Sequence, residues 1–391
     1  MAFALSVATT LAWAWTGGVD QFGDPTVAGP PPPSPGPTLA QVAPPATVPT
    51  AVVTSIRPRT EATTGVTVKA RAIRRGCELG WKLVPTCGVL WGAAAGAHTD
   101  RRGADALAKF ERKTGRTQAI YHAYHGGIRQ LFPTREEIAI ARQPGRNRVL
   151  LLNWKPESAT WAKIARGDRR TDKFLDKLAA HIRKTYPERF FLAIHHEGEN
   201  EVRERPGSGY TARDYAAMYR HVVERLRARG VTNMVTVLVH MAYVKHATKS
   251  WFDDMYPGDD VVDWIGFDTY AYSTPGYGHG NFAEVFNRKI ESRKGRWPGF
   301  YTWAVTEHPG KPLMLAEWGV WSSKHDKTYK AGFYRDLGNQ LRRFPKIKAL
   351  VQFETPRNQK GQDSSVDSTA AALNAYRKLG RLPMFQVSVR Q

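Results

Sequence analysis

Glu197 follows His195 and His196 at the end of the apolar run Phe190–Ile194, and Glu317 ends a second apolar run, Leu313–Glu317. A carboxyl group at the end of a buried strand is held in a fixed place. Two such groups on either side of a sugar linkage can hydrolyse it: one protonates the leaving oxygen, and the other attacks the anomeric carbon. In the arrangement that retains configuration the carboxyls stand about 5–5.5 Å apart. One must start protonated and the other ionised. Glu197 is assigned here as acid/base and Glu317 as nucleophile. Glu199 stays open as an alternative acid, because Gly198 lets the backbone turn after the strand.

Other strand ends carry a matching set of side chains. Asn153 and Trp154 end one run, His240 another, and Asp268-Thr269-Tyr270 a third. Trp321 lies just beyond Glu317, and Phe353 sits in the last run. Acids among aromatic rings are the composition of a carbohydrate cleft, in which rings stack on sugar faces. Asn153, Trp154, His196, His240, Tyr270, Trp321 and Phe353 are therefore candidate substrate contacts. For His240, Tyr270 and Phe353 a place in the core is the competing reading, and for Trp154 and Trp321 a place filling the barrel rim. No cofactor motif appears. No metal pattern is present either, since His195 and His196 are adjacent rather than spaced along one helical face.

Positioning these residues requires repeated βα units. Strands are predicted at Thr86–Trp91, Gln118–Tyr124, Val149–Asn153, Phe190–Ile194, Val235–His240, Val262–Asp268, Leu313–Glu317 and Ile347–Phe353. Amphipathic stretches lie between them. Asp172–Tyr186 aligns Leu175, Leu178 and Ile182. Thr211–Gly230 opens on a Thr-x-x-Asp capping box and aligns Tyr215, Met218, Tyr219, Val222 and Leu226. Helices are also expected over Ala331–Arg343 and Ser365–Leu379. Eight strands alternating with helices point to an α/β fold, a (β/α)8 TIM barrel, whose strand C-termini share one face. An open doubly wound sheet would carry a Gly-rich phosphate loop after strand 1. Gly88, Gly92 and Gly96 do not form that pattern.

The ends of the chain differ in character. Residues 1–24 begin with an apolar, small-residue stretch that reads as a signal-like or anchor segment without the basic start of a secretory signal. Residues 25–65 are rich in Pro and Thr and read as a disordered linker. Residues 66–391 form the barrel domain, expected to act as a monomer outside the cell or at its surface. Cys77 and Cys87, close in sequence beside the predicted first strand, read as one disulfide, with two buried thiols as the alternative. Lys and Arg number 57 against 35 Asp and Glu, a net charge of +22. Such charge favours adsorption to an acidic cell wall or polymer; an arginine-rich composition with no binding role is the other reading. No run of five or six like charges marks a nucleic-acid tail.

Over roughly residues 75–385 the chain resembles glycoside hydrolase family 26. The resemblance rests on His196-Glu197 after strand 4, on KPLMLAEWGV at strand 7 and on YPGDDVVDWIGFDTYAY around strand 6. GVLWGA, FERKTGR and LLLNWKP are smaller echoes in the expected order. It implies a retaining, endo-acting enzyme on a β-linked polysaccharide, most often β-1,4-mannan, with xylan and mixed-linkage β-glucan also within the family. It further implies that His196 shapes the subsite and that Tyr270 hydrogen-bonds the nucleophile; strand alternation turns Trp318 away. Two departures stand out. Phe353 occupies the place of a strand 8 tryptophan, and Asn153-Trp154 that of a strand 3 histidine. A catalytically silent carbohydrate binder on the same barrel is the alternative function.

Overall fold

The computed structural model describes residues 77–389, apart from 98, 100–101, 275–276, 279, 293–294 and 359. The segments expected at 1–24 and 25–65 lie outside the described residues. Eight parallel strands close into one barrel. They are β1 Leu90–Ala95, β2 Ile120–Gly126, β3 Val149–Lys155, β4 Phe190–Ile194, β5 Met234–Met241, β6 Trp264–Ala271, β7 Leu313–Val320 and β8 Ile347–Glu354. The ring closes by β1 pairing with β8, Leu90 opposite Ala349 through Ala95 opposite Glu354.

Seven of the eight strands lie where the apolar runs predict them, with ends differing by a few residues. The first is displaced. The chain turns through Thr86–Gly88 and enters the sheet only at Leu90, and the small residues Gly92–Ala95 form the strand itself. Cys77 and Cys87 both precede β1, and they form a disulfide.

Helices cover the outside: α1 Ala104–Thr114, α2 Arg135–Ala141, α3 Trp161–Ala165, α4 Arg169–Thr185, α5 Ala212–Ala228, α6 Val244–Ala247, α7 Phe282–Asn287, α8 Phe300–Glu307, α9 Tyr329–Leu341 and α10 Ala370–Gly380. The predicted capping box is formed at α5, where Thr211 accepts from the Asp214 amide and Asp214 accepts from that of Thr211. The stripes Leu175–Leu178–Ile182 of α4 and Tyr215–Met218–Tyr219–Val222–Leu226 of α5 are buried. Each helix thus covers the outer face of the sheet with its apolar side. Among the described residues no helix is long and apolar enough to cross a membrane.

Strand alternation divides the core in two. Ile120, Val149, Leu151, Phe191, Val237, Val239, Met314, Ala316 and Val351 fill the lumen with Leu83 from the segment before β1. The opposite faces, including Leu150, Leu152, Trp154, Leu238 and Phe267, pack against the helices. At the C-terminal end of the strands the filling changes: a small group of Ala94, Ala97 and Phe353 packs with Tyr124 and Tyr270, and ionisable residues lie beyond it.

Candidate active site

Glu317 owes its direction to an irregularity in β7. Against β6 the register runs Leu315 opposite Phe267 and then Glu317 opposite Asp268, one residue extra on β7. Ala316 belongs to the lumen cluster. The bulge turns Glu317 to the same side, beside Asp268, where strict alternation would have sent it to the helices. Trp318 follows outward and packs on Trp91, Tyr334 and Tyr376, as expected.

Both oxygens of Glu317 are held by tyrosines. Tyr124, from β2, donates to Oε1 at 2.7 Å, and Tyr270, from β6, donates to Oε2 at 2.6 Å. Two hydroxyl donors favour the carboxylate form. Burial pushes Glu317 above the usual carboxylate range; Tyr270, Tyr124 and then Lys155 pull it back.

Glu197 comes from the opposite wall. β4 ends at Ile194, and the chain turns through a 3-10 segment, Gly198–Glu201. Glu197 lies in the left-handed region, φ 52° and ψ 38°, and His195 has φ 51°. The turn is tied to its neighbours: the His195 amide donates to Trp154 O at 2.8 Å and the Glu197 amide to Val239 O at 3.1 Å. A side chain at Gly198 would press a Cβ to 2.6 Å from the Tyr215 ring, so only glycine fits. Asn200 Nδ2 donates to Glu197 Oε2 at 3.3 Å. Burial, and next the charge of Glu317, push Glu197 up to about 8. The two carboxyls thus share one enclosed space and differ in environment.

Asp268 is a third carboxyl in that space. It is 3% exposed, and no described side chain donates to it. Burial, then the charges of Glu317 and Glu197, push it well above its usual range. His196, Asp268 and Glu317 offer ligand atoms within 4.8 Å of one another. Because each oxygen of Glu317 already accepts a tyrosine proton, the trio reads as part of the carboxyl cluster rather than as a cation site.

The remaining candidates fall into two groups. His196 is buried, its ring centroid 5.9 Å from that of Tyr124. Phe353 packs between the rings of Tyr124 and Tyr270, at 6.5 and 5.8 Å. Trp321 stacks on Tyr270 at 4.4 Å and 18°. Asn153 is buried in β3, one lumen-facing position before Lys155.

Trp154 and His240 do not belong to the cleft. Trp154 is fully buried on the helix side of β3, against Phe132 and Phe174, with its indole donating to Gly127 O. His240 likewise faces outward from β5, against Phe252, Phe267 and Trp303. Its Nδ1 lies 2.5 Å from Glu199 Oε1. Glu199 is buried in that contact and also accepts from the Met241 amide. Its carboxyl is therefore committed away from the lumen, whereas that of Glu197 feels the charge of Glu317.

Tyr124 and Lys155 were not among the sequence candidates. The alternation Ile120–His122–Tyr124 and Leu151–Asn153–Lys155 carries their signal, once the lumen side of each strand is known.

The family model for glycosyl hydrolase family 26 matches residues 175–300, the stretch from α4 through β6 to α8. Endoglucanase H of Acetivibrio thermocellus is 27% identical over 241 residues, 59% of this chain and 24% of its own length. Beta-1,3-xylanase TXYA of a Vibrio species is 30% identical over 66 residues, 17% of this chain and 14% of its own. The chain thus spans about a quarter or less of these curated relatives. In fold it is similar to a GH26 β-mannanase from Bacteroides ovatus, with a TM-score of 0.53 at 17% identity, covering 78% of this chain and 90% of that one.

Proposed function

We propose that this chain, whose residues 175–300 match the glycosyl hydrolase family 26 model, is a member of that family and a retaining, endo-acting hydrolase of a β-linked polysaccharide. Glu197 is the acid/base and Glu317 the nucleophile. The observation that carries the reading is the unequal pair: one carboxyl raised to about 8 by burial and by its partner's charge, the other gripped on both oxygens by tyrosine hydroxyls.

In the first step the Glu197 proton passes to the glycosidic oxygen as that bond to the anomeric carbon breaks. A Glu317 oxygen forms the new bond to the same carbon, giving a covalent glycosyl-enzyme. In the second step Glu197, now ionised, takes a proton from water. The water oxygen bonds to the anomeric carbon and the Glu317 bond breaks, so configuration is restored. Tyr124 and Tyr270 hold the Glu317 carboxylate against rotation until one of its oxygens bonds to the anomeric carbon. Among substrates β-1,4-mannan is the first choice, with xylan and mixed-linkage β-glucan next. The relatives' names, an endoglucanase, a β-1,3-xylanase and a β-mannanase, differ in sugar. Action outside the cytoplasm is part of the proposal, supported by the Cys77–Cys87 disulfide.

Purified protein incubated with mannan, xylan and mixed-linkage glucan should release reducing ends from at least one, and proton NMR of the first products should show the β-anomer. The rate should fall as pH rises through about 8, because Glu197 then loses the proton it must donate. Release of the α-anomer, or no cleavage of any of the three, would overturn the proposal and favour a binding protein.

A further inference from the structure

Glu197 depends on a turn that L residues resist. Left-handed backbone costs about 1–2 kcal/mol at a residue other than glycine, and both His195 and Glu197 adopt it. Backbone bonds alone leave the far end of the turn, Glu201, to be anchored by its side chain. The structure supplies that anchor as a chain of side-chain contacts. The Trp161 indole, which can only donate, gives its proton to His195 Nδ1 at 3.3 Å. His195 is therefore the tautomer with its proton on Nε2, and Nε2 faces Glu201 Oε2 at 3.1 Å. Glu201 Oε1 lies 3.2 Å from Lys155 Nζ. The Lys155 side chain is 5% exposed at the end of β3. Four residues from α3, β3 and the turn are joined in one line.

Resting on the hydrolase reading above, we propose that Lys155 and Glu201 are positioning residues for the reaction: the brace Trp161–His195–Glu201–Lys155 fixes the turn that carries Glu197, and its ion pair places a compensated positive charge beside the two catalytic carboxyls. The charge of Lys155 acts on Glu197 and on Glu317, favouring the ionised form of each. Glu201 stays ionised. Burial works against its charge, but the His195 contact and then Lys155 more than offset this and hold it at about 2. Among the described residues, His196 on the same turn, Asp268 and Tyr270 from β6, Tyr124 from β2 and Lys360 from the segment after β8 also lie near the two carboxyls or act on them by charge, and Glu199, turned toward His240, acts on Glu197 by its charge alone. None of these belongs to the brace.

The two members carry opposite charge, so removing them one at a time must move the carboxyls in opposite directions. Lys155→Met deletes a cation of similar volume. It should move both limbs of the pH–rate profile to higher pH by about one unit. Glu201→Gln deletes the anion that lies against Lys155. It should move both limbs to lower pH by about half a unit. It should also lower kcat about tenfold while KM stays within about twofold, since the turn orients the acid rather than binding sugar. The double variant should return the limbs close to their wild-type positions, and Lys155→Arg should leave them in place. A role confined to packing would lower the rate in each variant without opposite shifts. That outcome, or a common direction of shift, overturns the proposal. Titration of the glutamate carboxyls by carbon-13 NMR follows the same shifts without substrate. If the wild type cleaves no glycan yet these titrations move oppositely, the hydrolase reading fails and the brace stands.

Discussion

At the N-terminal mouth of the barrel the lumen is shut by an apolar plug. Leu83, fully buried with φ 59°, enters among Leu90, Ile120, Phe191 and Trp264. Its loop is stapled by Cys77–Cys87 and pinned from three directions. Trp264 Nε1 donates to Lys82 O at 2.8 Å, Arg189 donates to the carbonyls of Gly80 and Trp81, and Lys82 Nζ lies 2.7 Å from Asp263. At the C-terminal mouth the same lumen ends in three carboxyls pushed upward by burial, and in Glu197 and Asp268 also by the charge of neighbouring carboxylates. Left-handed residues occur at both ends, but they serve different tasks. At the lower mouth Leu83 gains a buried side chain from its unusual backbone. At the upper mouth Glu197 gains a direction, and His195 its place between Trp161 and Glu201. Strain and buried charge at the upper mouth lower stability for the sake of geometry; the lower mouth is built for stability alone.

This contrast predicts that substitutions at the two ends separate activity from stability. The largest effect belongs to Glu317→Ala, which should reduce hydrolysis by at least about 10³-fold. Thermal unfolding should show an unchanged or higher midpoint, because a buried carboxyl has been removed. A lower midpoint would mean that Glu317 is a structural carboxylate. Next come Tyr124→Phe and Tyr270→Phe. Each removes a hydrogen bond to a charged group, worth about 1.5–3 kcal/mol, so kcat/KM should fall about 10- to 150-fold. The acid limb of the pH–rate profile should move upward, because Glu317 loses a donor that favours its charged form. An unmoved limb would remove the tyrosines from control of Glu317. The lower mouth should give the smallest catalytic effect. Leu83→Ala should destabilise by about 2–5 kcal/mol. Replacing both cysteines by serine should cost about 2–3 kcal/mol, or about 4 °C in Tm. Turnover at 25 °C should be unaffected in both. A drop in kcat there would show that the two mouths are coupled.

The barrel was legible because its strands are short runs apolar on both faces, separated by helices with clear stripes. That same two-sidedness hid the site's finer features. In LLLNWK, with Leu at three successive positions, nothing in the residues says which side is the lumen. Trp154 therefore reads as well as Lys155 for a cleft residue, although only the lysine faces inward. His240 fails for the same reason: it ends a strand at the correct height but on the wrong side. Strand β1 was displaced because Gly92 and three alanines lack the bulk that marks a strand, yet they suit a position where the neighbour is close. A Cβ on Gly92 would lie 2.6 Å from that of Ile120. Glu199 and Glu201 differ from Glu197 by their partners, and two of these, His240 and Lys155, come from other strands, which no local reading supplies.

The extra residue in β7 has a consequence for anyone who would move this chemistry elsewhere. Grafting a glutamate onto the seventh strand of another barrel at the equivalent height would aim it at the surrounding helices. The donor of the design must be the pair Ala316-Glu317 with its local kink, and deleting either residue from this chain should rotate every later side chain of the strand through half a turn.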